Sequence, residues 1–203
     1  MSLKSYVEVL EGSAEFRFSN VSVETHAPCL FRLALISRRS HRMSFQICIK
    51  TEKNLEQLVS EIRDLFSLPS FKQGSFSGES YCQFEVLGLL ILIHRAEEED
   101  RDPEVMQYPY CFDLQMAFAD HTLDTDDVEY RLQPYYAELL CFQLGLDTAY
   151  HEKQKTDRAW KIRYHFCSKN AHWNGHILYG EPGWEPAVLK SPPSLWRSMH
   201  PVF

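Results

Sequence analysis

The residues best able to do chemistry in this chain are carboxylates and histidines that lie close together, and the densest run is ADHTLDTDD, which carries Asp120, His121, Asp124, Asp126 and Asp127. Carboxylates beside a histidine can hold a divalent cation or perform general acid–base catalysis. A calcium loop, however, needs a central glycine and a distal glutamate, and both are missing at those offsets. A turn followed by a helix N-cap accounts for the same letters: Asp126 can cap, Glu129 follows three residues later, and Asp127 puts negative charge at the positive end of the helix dipole.

The second candidate is HWNGH, in which His172 and His176 have the i, i+4 spacing of a zinc pair, with His165 as a third ligand. Asn174 and Gly175 favour a turn there, and no glutamate follows the first histidine as the protease motif requires. No metal or other cofactor is therefore expected. Nucleophilic catalysis has equally little support. There is no G-x-S-x-G elbow, and none of the six cysteines (Cys29, Cys48, Cys82, Cys111, Cys141, Cys167) sits in a protease signature. Their scatter through apolar segments, with no C-x-x-C, reads as buried thiols in a reducing compartment.

Acidic surface remains. AEEEDRDPE carries Glu97, Glu98, Glu99, Asp100, Asp102 and Glu104, and the cost of burying unpaired charge keeps such a run out of any core. With Asp120, Asp124, Asp126 and Asp127 these residues flank one strand and form the candidate partner-binding set. The net charge of −7 argues against nucleic acid, whose phosphates need a cationic footprint, and for a basic protein partner. The basic SRRSHR segment (Arg38, Arg39, His41, Arg42) lacks a glycine-rich anion nest and reads as a hairpin tip. Two functions follow. The first is an acidic binding protein of the immunity or inhibitor kind that neutralises a basic partner such as a toxin. The second is an enzyme of unassigned class using Asp120, His121 and Asp124 or the tail histidines.

Elements must position these residues. Asn54 to Leu68 reads as a helix: Asn54 and Gln57 form a capping box, Leu55, Leu58, Val59, Ile62, Leu65 and Phe66 make one apolar stripe, and Pro69 stops it. A second helix runs up to Gly145, with Tyr135, Tyr136, Leu139, Leu140 and Phe142 as its buried side. Pro134 favours two pieces over one. Strands are expected over Cys29 to Ile36, Met43 to Lys50, Tyr81 to His94 with a bulge at Gly88, Tyr108 to Ala119, and Leu146 to His151 paired with Arg158 to Phe166 around the loop EKQKTD. FKQGSFSGES reads as a flexible connection.

The expected architecture is α+β, a largely antiparallel sheet with two main helices on one face. Residues 1–167 form one domain, and 168–203, with Trp173, Trp184, Trp196 and five prolines, an extended aromatic tail packed on it. The N-terminal residues have no signal-peptide h-region, and the most apolar run, Val86 to Ile93, is far short of a membrane span. A cytoplasmic protein that does not enter the membrane is the expectation.

Overall fold

The computed structural model describes residues 45–76, 79–116, 126–157, 159–175, 178 and 185–199. Among these, nine strands form one antiparallel sheet beside two helices, an α+β arrangement rich in sheet. The strands are β1 (Phe45–Lys50), β2 (Lys72–Phe76), β3 (Glu79–Val86), β4 (Leu89–Arg95), β5 (Tyr110–Met116), β6 (Asp147–Lys155), β7 (Trp160–Lys169), β8 (Val188–Ser191) and β9 (Arg197–Ser198); the helices are α1 (Leu55–Phe66) and α2 (Asp126–Leu144). Spatial order is β2-β3-β4-β5-β1-β6-β7-β8, with β9 also on β7, so β1 sits centrally between β5 and β6. No described helix is long and apolar enough to cross a membrane.

Alternation in β1 separates two cores. Ile47 and Ile49 join Leu58, Val59 and Ile62 of α1 and Ala137 and Leu140 of α2, together with Phe84, Ile93 and Phe112. Cys48, between them, points the other way and clusters with Val105, Ala149, Ile162 and Tyr164. The first core is tied by aromatic rings from four elements: Phe45 lies 5.8 Å from Phe112 and 5.7 Å from Tyr136, and Phe66 lies 5.7 Å from Tyr136. α1 begins with the expected reciprocal box, Gln57 N–H donating to Asn54 Oδ1 at 2.9 Å and Asn54 N–H to Gln57 Oε1 at 3.2 Å. It ends on Ser67 in the left-handed region (φ 51°), with Leu68 N–H donating to Arg63 O at 2.9 Å, and Pro69 just beyond.

Several expectations are corrected. α2 is one helix with Pro134 inside it, not two pieces. Proline removes the N–H that would have bonded Tyr130 O, and the Gln133 amide donates to that carbonyl instead at 3.4 Å. Leu140 and Phe142 are buried as expected, but the buried face also takes in Gln133, Ala137, Glu138 and Cys141, and Tyr135 is exposed. Tyr81 to His94 is two strands, joined by a tight turn at Leu87 (φ 46°) and Gly88 (φ 80°) rather than continued through a bulge. Positive φ at both central residues is the geometry whose twist matches an antiparallel hairpin. The Gly/Ser-rich connection contains β2, where Gly74 lies opposite Tyr81 and under its ring: a Cβ there would meet the ring at 2.3 Å. The EKQKTD loop shrinks to a turn, since β6 runs to Lys155. The Cys29 to Ile36 strand, Met43 and the SRRSHR tip lie outside the described residues.

Candidate functional site

On the sheet face opposite α1 and α2 lies a cavity of about 460 Å³. Its floor is a row of side chains running across neighbouring strands: His94 of β4, Cys111 of β5 and Cys48 of β1, each opposite the next in register. Gln46, Tyr164 and Tyr108 complete the wall. Its roof is the connection from β4 to β5, folded into two short 3-10 turns, Glu98–Asp100 and Pro103–Val105. Arg101 fixes this roof from inside. Its Nε and Nη2 donate to Ala96 O at 3.1 and 2.8 Å and its Nη1 to Met106 O at 3.0 Å, so one planar fork clamps both ends of the connection.

The roof is the acidic run anticipated from the sequence, and the structure divides it. Glu97, Asp100 and Asp102 line the cavity. Glu97, Glu98, Glu99 and Asp100 are exposed and have no hydrogen bond or ion pair from their side chains among the described residues. Asp102 and Glu104 are held internally: Asp102 accepts from Tyr164 Oη at 2.6 Å and pairs with Arg197, whose Nε donates to Glu104 Oε1 at 3.2 Å. Burial first, then the neighbouring thiol and carboxylate, push the Tyr164 hydroxyl far above its ordinary range, so it stays protonated and donates to Asp102. Asp120 and Asp124 lie outside the described residues. Asp126 and Asp127 open α2, and their side chains are likewise outside the description.

At the floor, His94 Nε2 lies 3.0 Å from Asp113 Oδ2. Burial alone would depress this histidine, but the hydrogen bond and charge of Asp113 outweigh it and hold the imidazole up at about 9. His94 is therefore an imidazolium paired with a carboxylate at neutral pH. Cys111 lies opposite Cys48 in register, and the neighbouring Cys48 thiol first, then burial, push its own thiol well up. The arrangement offers a proton donor and two buried thiols beneath a rim of carboxylates.

Of the histidines singled out as metal ligands, His165 is engaged by other partners. His165 Nε2 lies 2.9 Å from Glu152 Oε2, which also accepts from Arg163 Nε at 2.7 Å, and its ring stacks on Tyr150 at 4.9 Å. His172 is an exposed turn residue, and His176 and His121 lie outside the described residues. Among the described residues no group of three or more His, Cys, Asp or Glu side chains is placed to hold a metal ion. Cys48 and Cys111 are buried thiols, as their apolar surroundings in the sequence suggest, whereas nothing local singles out His94, Asp113 or Arg197. Alternation in β5 put Asp113 on the face away from the core, but only the strand order brings β4 and β1 to either side of it. Comparison with known protein families, curated proteins and solved structures finds no match to this chain.

Proposed function

We propose that this chain is an acidic, cytoplasmic binding protein of the immunity or inhibitor kind, and that it engages a basic protein through the Glu97–Asp100 turn and the mouth of the cavity beneath it. The observation that carries this reading is the division of charge within one connection. Arg197 neutralises Asp102 and Glu104, whereas four consecutive carboxylates beside them face solvent with no cation paired to them among the described residues. Exposed like charges on a rigid turn focus a negative field, which speeds encounter with a cationic surface and repels nucleic acid. The Arg101 clamp supports the reading further, because a preorganised turn loses little entropy on binding.

The test is capture from native lysate at low salt and at roughly 0.5 M salt, where screening shortens to a few ångströms. Wild type is compared with the variant Glu97→Gln, Glu98→Gln, Glu99→Gln, Asp100→Asn. A basic protein captured by wild type should be lost at high salt, and its association rate should fall by about tenfold in the variant. Equal capture by the variant with the same salt dependence would remove this surface from the proposal. A second reading, acid–base catalysis, draws on His94 in the cavity floor and its partner Asp113. On that reading His94 donates a proton, and His94→Gln abolishes turnover without altering capture of the basic partner.

A further inference from the structure

Cys48 and Cys111 are Cα partners in the antiparallel β1–β5 ladder. Side chains directly opposite in such a ladder share a face. Their Cα atoms stand about 4.5 to 5.5 Å apart, inside the roughly 4.4 to 6.8 Å that a disulfide spans. Both are free thiols, both are buried, and both line the cavity. The Cys48 thiol is also the strongest influence on the Cys111 thiol, which it pushes up. No other described cysteine faces a thiol in register: Cys82 lies opposite Gln73 and Ile93, and Cys167 opposite Thr148 and Lys190.

We propose that Cys48 and Cys111 form a reversible redox pair, joined by a peroxide into a cross-strand disulfide in the cavity wall. One thiol, as its thiolate, attacks a peroxide oxygen. The O–O bond breaks, a sulfenic acid forms, and the departing oxygen takes up a proton and leaves as water. The second sulfur then attacks the sulfenic sulfur, the S–O bond breaks and a second water leaves, so two thiols give up two electrons and two hydrogens while one peroxide becomes two waters. The cavity supplies the route by which a small oxidant reaches sulfurs that are otherwise closed to solvent. Burial keeps the thiolate scarce, which makes oxidation slow and confines it to a pair whose second step is preorganised. This inference is independent of the acidic turn and its partner.

The folded protein is treated with hydrogen peroxide, quenched in acid, denatured, alkylated and mapped by mass spectrometry. The expected result is a loss of about 2 Da on a species joining the Cys48 and Cys111 peptides, reversed by dithiothreitol. Cys48→Ser and Cys111→Ser should each abolish it, and Cys82→Ser should leave it. Should those variants fold poorly, phenylarsine oxide, which bridges closely spaced dithiols, should protect both cysteines of the wild type from alkylation. Full alkylation of both after peroxide, separate sulfinic acids, or a bond to any other cysteine would overturn the proposal.

Discussion

A single side-chain amide closes three gaps in the backbone. Gln133 Oε1 accepts from Gln46 N–H at 3.3 Å, and its Nε2 donates to Tyr130 O and His151 O, each at 3.4 Å. The first and last of these lie just past the end of the β1–β6 ladder, whose last pair is Ile47 opposite Tyr150. The middle one is the carbonyl orphaned by Pro134. Buried backbone groups left unpaired cost about 1 to 3 kcal/mol each, and these bonds are long, so Gln133→Leu should lower the unfolding free energy by roughly 2 to 4 kcal/mol in urea. Combining it with Pro134→Ala should recover part of that loss, because the restored N–H can reach Tyr130 O. Additive effects of the two substitutions would show that the proline and the amide are not coupled. None of this could be read from the letters Gln-Pro. The sequence shows that a proline interrupts a helical pattern; whether a neighbour repairs the interruption depends on strands elsewhere in the chain.

At the scale of elements, α1 was legible almost completely, since its cap, stripe and stop are all local: Asn54 with Gln57, Leu58 with Ile62, and Pro69. Its last turn nevertheless carries a fault. Ser67 occupies a left-handed position that glycine adopts freely, at a cost on the order of 1 kcal/mol for a residue with a Cβ. Ser67→Gly should therefore raise the unfolding free energy by about 0.5 to 1 kcal/mol, less the extra entropy glycine adds to the unfolded chain. An unchanged urea midpoint would mean the two terms cancel. β2 and the Leu87 turn were not legible. Gly74 argues against a strand by propensity, and only the Tyr81 ring covering it makes the position acceptable. Leu87 is an unusual choice for positive φ and is almost wholly exposed, so nothing in its residue type announces a turn.

Over the whole molecule, what the sequence could not supply is adjacency. Six carboxylates were rightly placed in the β4–β5 connection, but the cavity beneath them exists because β1 is inserted between β5 and β6, a pairing across dozens of residues that leaves no local pattern. Two histidines brought in by that order set opposite limits on stability. His94, raised to about 9 by Asp113 despite its burial, contributes stability fully present below its ordinary value near 6.5 and lost as pH rises towards 9. His151 is buried between Tyr130 and Tyr164, and burial, reinforced by Lys153, lowers it to about 3. Here the unfolded chain takes up the proton first, so stability is complete above about 6.5 and falls as pH drops towards 3. Each limb has a slope of up to about 1.4 kcal/mol per pH unit. Urea unfolding across pH should thus peak near 6.5, with His151→Phe flattening the acid limb and His94→Asn the alkaline one. A peak that stays put with both limbs intact in either variant would contradict these assignments. The Arg101 clamp carries one more consequence, for proteolysis. A trypsin-like protease must draw an arginine side chain into its own specificity pocket, and the guanidinium of Arg101 is already committed to the carbonyls of Ala96 and Met106. While the roof is closed, the most acidic stretch of this surface is also shielded from cleavage.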